Sequence, residues 1–222
     1  MNPSCCKKKR ILVVEDHPLF RAMLVQLIDQ QLGMIVCGEA NNINDALAII
    51  EQQTPDAAII DLTLAGSSGL ELIKDLKARH IHLPVLVLSM HSERLYAERV
   101  LHAGAKGFVS KEESPEQVIS AIHAVTNGEI YVSKRISQQI LERQTRGGKP
   151  VAATGVDLLS DREIEVYQLM GEGLSSSEIS DRLRLAPTTV DSYRARIKVK
   201  LGIKNAASLY QHAARWVTEH GV

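Results

Sequence analysis

DAAIIDLTLAGSSG, residues 56–69, is the stretch that decides the fold of this chain. Its apolar run, residues 57–60, does not alternate with polar residues, which is typical of a strand buried on both faces of a parallel sheet. The run ends at Asp61, and because burial of a lone carboxylate is costly, we expect Asp61 at the carboxyl end of the strand, in a crevice. Two hypotheses are open on this residue alone: Asp61 caps a turn, or it accepts a phosphoryl group.

The length and the charges predict two domains with different partners. The chain has 222 residues, enough for two ordinary domains, and 26 basic residues balance 26 acidic ones. Residues 11–140 carry 10 Lys and Arg against 16 Asp and Glu, whereas residues 141–222 carry 12 against 10. Five basic residues and no acidic one lie within residues 194–204. This local basic stripe favours a nucleic-acid partner for the second part of the chain.

The three cysteines, Cys5, Cys6 and Cys37, are too few for a disulfide framework and lack the spacing of zinc ligands. We therefore expect free thiols in a reducing cytoplasm. No apolar run approaches the ~20 residues of a transmembrane helix, so the sequence predicts a cytoplasmic protein that does not enter a membrane. The basic run at residues 7–10 is interpreted as a solvated tail, with lipidation of Cys5 or Cys6 as the alternative.

Strand and helix patterns alternate five times in the first part of the chain. Five apolar runs fit buried strands: residues 11–14, 35–37, 57–60, 84–88 and 105–109. The helix after the first strand opens at Pro18, and helical spacing predicts one buried face made of Phe20, Met23, Leu24, Leu27 and Ile28. The alternation predicts an α/β fold, a doubly wound parallel five-stranded sheet with right-handed crossovers.

Polar residues follow four of these strands. Glu15 and Asp16 end the first, Asp61 the third, Ser89 the fourth and Lys111 the fifth. In doubly wound sheets, functional groups gather at the carboxyl ends of the strands, so we expect these side chains to meet in one crevice. There the lysine would supply a fixed positive charge and the serine a hydroxyl donor.

The carboxylates in this crevice predict a metal site. Three carboxylates close together repel one another, and a divalent cation removes that penalty. Mg²⁺ prefers hard oxygen ligands, typically one or two carboxylates with water and phosphate. Glu15, Asp16 and Asp61 could supply side-chain oxygens, and the backbone carbonyl of Thr63 could add another. A carboxylate nucleophile, a metal ion and a lysine suffice for phosphoryl transfer, which needs positioning and charge neutralisation more than proton chemistry.

With these residues in place, the sequence resembles the receiver domain of two-component response regulators, which has a flavodoxin-like fold. The resemblance covers residues 9–128, the predicted receiver domain, and Phe108 stands three residues before the lysine, where receivers place an aromatic switch residue. It implies that Asp61 takes a phosphoryl group from a sensor histidine kinase, that Ser89 turns toward the phosphate and that Phe108 rotates inward.

A phosphatase that forms an aspartyl-phosphate is an alternative for this domain. Such an enzyme needs a general acid nearby, whereas Thr63 stands two residues after Asp61. We therefore predict no enzyme activity beyond self-phosphorylation at Asp61 and slow autodephosphorylation. His17 and His91 border the predicted crevice and are interpreted as ordinary helix-start residues, because histidine is not needed for this chemistry.

A linker and a second, all-helical domain follow. Residues 129–156 are predicted to be a linker with one short helix that places Ile136 and Ile140 on one side. The pattern of residues 157–222 predicts four short helices, and capping boxes at Ser160 and Ser175 mark the starts of two of them. The tight turn between the second and third helices predicts a helix-turn-helix.

The outer face of the third helix, which opens at Pro187, predicts a DNA-binding surface. Hydroxyl groups, Arg and Lys suit phosphates and base edges, and small side chains permit close approach to the groove. The predicted DNA-binding residues are Thr188, Thr189, Asp191, Ser192, Arg194, Ala195, Arg196 and Lys198. Asp191 has two interpretations: it accepts a hydrogen bond from a cytosine amine, or it pairs with a neighbouring arginine.

This second part resembles the LuxR-type helix-turn-helix of the NarL/FixJ response regulators. The matching motifs are LSDRE at residues 159–163, GLS at 173–175, EI at 178–179, TV at 189–190 and KLG at 200–202. Two residues depart from the pattern: Tyr193 replaces the more common His, and Ala186 replaces the usual Ser cap of the recognition helix. The family implies a homodimer on double-stranded DNA through the last helix, with Leu209, Ala213 and Trp216 as the expected dimerisation residues.

Together the two resemblances predict a phosphorylation-controlled transcription regulator of a bacterial two-component system. The alternative is a DNA-binding or interaction protein whose receiver-like domain docks partners without phosphorylation. The intact set of Asp61 and Lys111 favours the first interpretation.

Overall fold

The structure of the protein, a computed structural model, describes residues 8–64, 67–145 and 155–220. The chain divides into two units, Met1–Glu142 and Arg143–Val222, each of which is described by itself. Three predicted features lie outside the described residues: the N-terminal tail with Cys5 and Cys6, part of the loop after Asp61, and residues 146–154 of the predicted linker.

The first unit contains the predicted parallel sheet. The strands are β1 Lys9–Val14, β2 Met34–Ala40, β3 Ala57–Ile60, β4 Thr63–Leu64, β5 Ser67–Ser68, β6 Val85–Ser89 and β7 Gly107–Ser110. Five of them form the sheet in the order β2-β1-β3-β6-β7, and every neighbouring pair is parallel. The short strands β4 and β5 form a separate antiparallel pair after β3. The predicted doubly wound α/β class is confirmed.

Helices connect the parallel strands, and both faces of the sheet are covered. The helices that begin in this unit are α1 Pro18–Asp29, α2 Ile43–Gln53, α3 Gly69–Ala78, α4 Glu93–Ala103, α5 Pro115–Thr126 and α6 Lys134–Thr145, whose last three residues lie beyond the unit boundary. One core cluster joins α1 and α5 to alternate strand residues such as Ile11 and Val13. The intervening Leu12 and Val14 are buried as well, and because successive strand side chains point to opposite faces, neither face of β1 meets solvent.

Helix α1 follows its predicted face with one exception. Leu24 and Ile28 are buried, and Phe20 and Leu27 are partly buried against the core cluster. Met23, predicted to be on the same face, is 50% exposed. At 100° per residue, Met23 lies at the margin of the apolar stripe that the other four residues form, so the helix turns it toward solvent.

The segment after α5 belongs to the first unit. The Phe108 N–H donates to the Tyr131 carbonyl at 3.0 Å, and the Tyr131 N–H donates to the Lys106 carbonyl at 2.9 Å. The Ser133 N–H donates to Glu93 Oε1 at 2.9 Å. A Cβ on Gly107 would lie 2.8 Å from the Tyr131 carbonyl oxygen, so only glycine permits this approach. The sequence pattern places the start of the linker at residue 129, whereas in the structure residues 129–142 pack with the receiver unit.

The second unit is helical, as predicted. Its helices are α7 Asp161–Gly171, α8 Ser176–Leu183, α9 Pro187–Leu201 and α10 Ala206–His220, preceded by a 3₁₀ turn at Gly155–Leu158. The capping boxes at Ser160 and Ser175 are both formed, each with a glutamate three residues on. Arg184 adopts a left-handed conformation, with φ 51°, and ends α8 before the turn into α9. Within the described residues, no helix is both long enough and apolar enough to cross a membrane.

Candidate functional site

Strand register brings three carboxylates together at the carboxyl edge of the sheet. Val14 is paired with Ile60 in the parallel ladder, and the Asp61 N–H continues it by donating to the Val14 carbonyl at 2.9 Å. Glu15 and Asp61, the next residues of their strands, are therefore neighbours. Glu15, Asp16 and Asp61 each offer a carboxylate oxygen, and these oxygens lie within 4.8 Å of one another. The predicted crevice thus contains all three predicted carboxylate ligands.

Lys111 joins two of these acids. Its Nζ lies 2.7 Å from Glu15 Oε2 and 2.8 Å from Asp61 Oδ2, and its side chain is only 8% exposed. The Lys111 N–H donates to the Ser89 carbonyl at 2.9 Å, which fixes the start of the side chain beside β6. The ammonium group also lies 4.5 Å from the centroid of the Phe20 ring, a cation–π contact.

The pKa values reflect this buried arrangement. Burial raises the pKa of the Asp61 carboxyl, although Lys111 opposes the shift. Burial and then the nearby Asp61 raise the pKa of Glu15. Burial acts to lower the pKa of Lys111, but its two carboxylate partners outweigh burial and the net shift is upward. Three carboxylates face one lysine, so when all three are ionised the site holds more negative charge than the lysine balances. Such a site can hold a cation.

The donor set fits a small, hard divalent cation. All the side-chain donors are carboxylate oxygens, of which Glu15 and Asp61 are buried and Asp16 is half-buried. The backbone N–H of Thr63 donates to the Asp61 carboxylate and so orients it. The Thr63 carbonyl as a metal ligand stays a prediction.

Ser89 is the last residue of β6, and Phe108 lies within β7, three residues before Lys111. Both are almost fully buried, with exposed fractions of 0% and 1%. Their strands are paired directly, with Ser89 opposite Ser110 and Phe108 opposite Val87. The Ser89 hydroxyl accepts a hydrogen bond from the His91 N–H at 3.2 Å.

The interpretation of His91 as an ordinary helix-start residue missed its contacts. Its Nε2 lies 2.9 Å from Thr63 Oγ1, and its ring lies 4.8 Å from the Tyr96 ring, centroid to centroid. The His91 side chain therefore connects the segment after Asp61 to helix α4. No spacing in the sequence indicates this, because the two loops are joined only by the fold.

Gly69 also belongs to the site and was not singled out in the sequence. A Cβ at this position would lie 1.9 Å from the Asp61 carbonyl oxygen. The Gly69 N–H donates to the Leu62 carbonyl at 2.8 Å, and α3 begins here, capped by Ser68 and Glu71. Glycine therefore lets α3 start directly against the backbone of Asp61.

In the second unit, the predicted DNA-binding residues all reach the surface of α9. Five are exposed and three are half-buried; the exposed ones are Thr188, Asp191, Ser192, Ala195 and Arg196, and the half-buried ones are Thr189, Arg194 and Lys198. An open depression on this face is lined by Thr188, Thr189, Ser192, Tyr193 and Arg196. Arg196 lies 5.9 Å from the centroid of the Tyr193 ring.

Contacts within the unit use some of these charges. Arg194 Nη1 lies 3.1 Å from Asp191 Oδ1, so of the two interpretations of Asp191, the structure forms the ion pair. Lys200, part of the predicted basic stripe, binds the buried Glu163 at 2.6 Å. Two cations of the basic stripe, Arg194 and Lys200, are therefore paired with carboxylates of the same unit.

The three expected dimerisation residues face their own domain. Leu209, Ala213 and Trp216 are buried, and the Trp216 ring lies 5.4 Å from the ring of Tyr167 in α7. A Cβ on Gly171 would lie 2.6 Å from the Ala213 carbonyl oxygen, so α7 and α10 pack at close range. In the single chain these three side chains pack inside their own domain, and their part in a dimer stays a prediction.

Comparison with known sequences gives two matches that together span both units. The profile of the response regulator receiver domain matches residues 11–123, and that of the bacterial regulatory proteins of the luxR family matches residues 157–213. The chain belongs to the NarL/FixJ family of response regulators. This response regulator thus combines a receiver with a LuxR-type DNA-binding domain, as two-component transcription regulators do.

Similar proteins share this organisation over most of their length. A protein of Pseudomonas aeruginosa is 35% identical over 206 residues, which are 93% of this chain and 97% of the relative. The response regulator UvrY of Escherichia coli K12 is 33% identical over 208 residues, 92% and 93% of the two chains. A solved structure of RcsB from Salmonella enterica serovar Typhimurium, bound to promoter P1flhDC with the phosphomimetic BeF3-, is 25% identical, with a TM-score of 0.56 over 94% of this chain and 100% of the other.

Proposed function

We propose that Asp61 of this response regulator accepts a phosphoryl group from a sensor histidine kinase and that phosphorylation controls its binding to DNA. One observation carries the proposal: the Asp61 carboxylate lies 2.8 Å from the Lys111 ammonium, in a group of carboxylate oxygens within 4.8 Å of one another. Phosphoryl transfer needs a positioned nucleophile and neutralised charge, and this cluster provides both.

The transfer assigns one role to each polar group. An Asp61 oxygen attacks the phosphorus of the kinase phosphohistidine, an O–P bond forms, and the N–P bond breaks with return of the electron pair to the imidazole. Lys111 then holds an oxygen of the transferred group, because its ammonium already lies at hydrogen-bonding distance from Asp61. The Ser89 hydroxyl donates to another oxygen.

Mg²⁺ is the proposed cofactor. Glu15, Asp16 and Asp61 would hold it with their carboxylate oxygens, and the Thr63 carbonyl would add a further ligand. When bound, the ion supplies positive charge that neutralises the phosphoryl oxygens. We infer the cation from the donor chemistry and from the three carboxylates that face a single lysine.

Ser89 and Phe108 are proposed to report the phosphorylated state. Phosphorylation adds nearly two negative charges to a buried site, enough to bias a two-state element by a few kcal/mol. Ser89 turns toward the phosphate, and the buried Phe108 follows it on the neighbouring strand. Because the Phe108 N–H is bonded to Tyr131, this change begins next to residues 129–142.

The test is phosphorylation of the full chain by acetyl phosphate with Mg²⁺, read by intact mass. The wild type should gain one acid-labile phosphoryl group, and Asp61→Asn should gain none. Asp56→Asn is the matched control, since Asp56 lies at the other end of β3 and binds the Arg10 N–H at 2.8 Å. If Asp61→Asn is labelled as the wild type is, the assignment of the acceptor is wrong. If the wild type is not labelled, the phosphorylation-independent docking function takes its place.

We propose no substrate turnover for this protein beyond its own slow dephosphorylation. Thr63 stands where an aspartyl-phosphate hydrolase would need an acid, and the described contact of its hydroxyl is to His91. Incubation with a small phosphoester should give no release of phosphate above buffer. Multiple turnovers that are lost in Asp61→Asn would instead establish a hydrolase.

The DNA-bound form is proposed to be a homodimer. We also propose a cytoplasmic location, because bacterial DNA lies in the cytoplasm. The RcsB structure on promoter DNA supports the DNA partner. For the dimer, α10 offers an exposed stripe at helical spacing, formed by Gln211, Ala214, Arg215 and Thr218. Ala214→Glu should weaken assembly on a duplex with two half-sites, measured by ultracentrifugation, without lowering the thermal midpoint. An unchanged mass of the complex would remove this face from the dimer.

A further inference from the structure

Arg194 is turned into the domain although it belongs to the basic stripe. Its side chain is 23% exposed. Nη1 donates to the Ser176 hydroxyl, in the first turn of α8, and to Asp191 Oδ1, one turn earlier in α9. The guanidinium also lies 5.3 Å from the centroid of the Tyr210 ring in α10. One side chain therefore contacts three helices.

The remaining donors of Arg194 are not all open to a phosphate. Its Nε is buried and has no hydrogen-bond partner among the described residues. By contrast, Arg196 is exposed on the same helix. Lys198 is half-buried as Arg194 is, but among the described contacts it has no carboxylate partner, whereas Arg194 pairs with Asp191. A phosphate contact requires a cation that can leave water for the DNA backbone, and Arg194 already has a carboxylate and a ring as partners.

We propose that Arg194 is a positioning residue for DNA binding and not a phosphate contact. It holds α9 against α8 and α10, and it neutralises Asp191 on the face that meets DNA. The angle between α8 and α9 decides how α9 enters the major groove, so a bond between these helices acts on affinity through geometry. The inference rests on the DNA-binding function proposed above.

Salt dependence distinguishes the two roles of a cation. The slope of log K against log salt is negative, and each phosphate contact that is lost lowers its magnitude by about 1. A positioning residue changes the affinity by the same factor at every salt concentration. Removal of Arg194 alone would leave Asp191 unpaired near phosphates and disturb this comparison, so the variants must keep the net charge.

The experiment compares two double variants of the full chain: Asp191→Asn/Arg194→Gln and Asp191→Asn/Lys198→Gln. Each removes one acidic and one basic charge from α9. Binding to a fluorescent, mixed-sequence DNA duplex is measured by anisotropy over a series of KCl concentrations, well below the thermal midpoint of each variant. We expect the first variant to keep the wild-type slope and to bind about tenfold more weakly throughout, since it loses hydrogen bonds to a charged group. For the second variant, the magnitude of the slope should fall by about 1.

Two results would overturn the inference. One is a slope that falls as much in the Arg194 variant as in the Lys198 variant, which would make Arg194 a phosphate contact. The other is an Arg194 variant with both wild-type slope and wild-type affinity, which would remove the positioning role.

Arg194→Lys is the second test, because it keeps the charge but loses the planar group that reaches Ser176 and Asp191 together. We expect weaker binding with an unchanged slope; full rescue by Lys would contradict positioning. Failure of the wild type to bind any duplex would instead contradict the proposed DNA-binding function.

Discussion

The receiver unit buries its functional charges, whereas the DNA-binding unit leaves most of its own on the surface. The side chains of Lys111, Glu15 and Asp61 are 8%, 2% and 6% exposed. The lysine Nζ lies within 3 Å of a carboxylate oxygen of each acid. In the DNA-binding unit, Asp191 is 63% exposed, and Arg196 is exposed on the same helix. Buried charges interact strongly and cost desolvation energy, while exposed ones are screened by water and salt.

This difference shows how each unit can be controlled. In the receiver, a new charge at Asp61 changes a balance that is already strained, since burial raises the pKa values of both acids. Under the proposed function, a single phosphoryl group would act on the conformation through this balance. In the DNA-binding unit, no single exposed charge decides the outcome, and affinity sums over several contacts. Arg194 and Lys200 differ from these exposed charges, because each contacts side chains of another helix.

Lys111→Met should give the largest effect. It leaves the Glu15 and Asp61 carboxylates buried without their cation, and we expect a loss of about 4 kcal/mol in the free energy of unfolding at neutral pH. Urea denaturation at neutral and acidic pH measures it. The loss should shrink as pH falls, because the raised pKa values mean that both acids become neutral early on acidification.

The control for this variant is Arg79→Met in the receiver unit. Arg79 and Glu51 form a pair 3.8 Å apart, with side chains 50% and 68% exposed. Its loss should cost below about 0.5 kcal/mol. If the two variants lose equal stability, the comparison between buried and exposed charge is wrong.

Gly69→Ala should give the second-largest effect, a loss of about 3 kcal/mol in the free energy of unfolding. The added Cβ would meet the Asp61 carbonyl oxygen at 1.9 Å, so the backbone at Asp61 must move, and labelling by acetyl phosphate should fall with stability. Gly33→Ala is the control: its φ of 97° strains alanine, but its Cβ enters open space. It should cost about 1 kcal/mol and leave labelling unchanged. Normal labelling of Gly69→Ala would show that the site tolerates the shift.

Asp61→Asn should stabilise the receiver without Mg²⁺, by about 1 kcal/mol at neutral pH, because Lys111 keeps Glu15 as its partner while one buried charge is removed. The pKa of Asp61 is raised in the folded state, so its stabilising contribution is present at low pH and is lost as pH rises through that raised pKa. The advantage of asparagine should therefore vanish in acid. Thermal melts with and without Mg²⁺ test this, since the ion should raise the midpoint of the wild type more than that of the variant. A variant less stable than the wild type at neutral pH would contradict a strained Asp61.

Ala186→Ser should give the smallest effect and lies in the exposed unit. Ala186 is the N-cap of α9, with φ −70° and ψ 143°, and makes no side-chain hydrogen bond. A serine there can accept from the first turn, as Ser175 does for α8. We expect a gain of about 0.5 kcal/mol in the stability of the DNA-binding unit, seen in its urea transition. A loss would mean that this end of α9 is already satisfied.

Much of both units was predictable from local patterns. The five apolar runs predicted the parallel strands, and the residues after them predicted the acidic cluster and Lys111, because parallel strands share one carboxyl edge. The capping boxes predicted the starts of α7 and α8. The roles of His91 and Gly69 were not predictable, since their partners, Thr63 and Asp61, are brought near them only by the loops after β3 and β6.

By itself, the sequence determined the five parallel strands, the order in which they alternate with helices and which polar residues follow the strands, but not the short β4–β5 pair. These features depend on periodicity and on caps, which act within a few residues along the chain. Only the tertiary structure decided that Arg194 turns inward toward Ser176, that Trp216 packs on its own domain and that Tyr131 pairs with β7. The physical reason is that the direction of a side chain depends on which distant surface can bury it or accept its hydrogen bonds, and spacing along one helix carries no information about that surface.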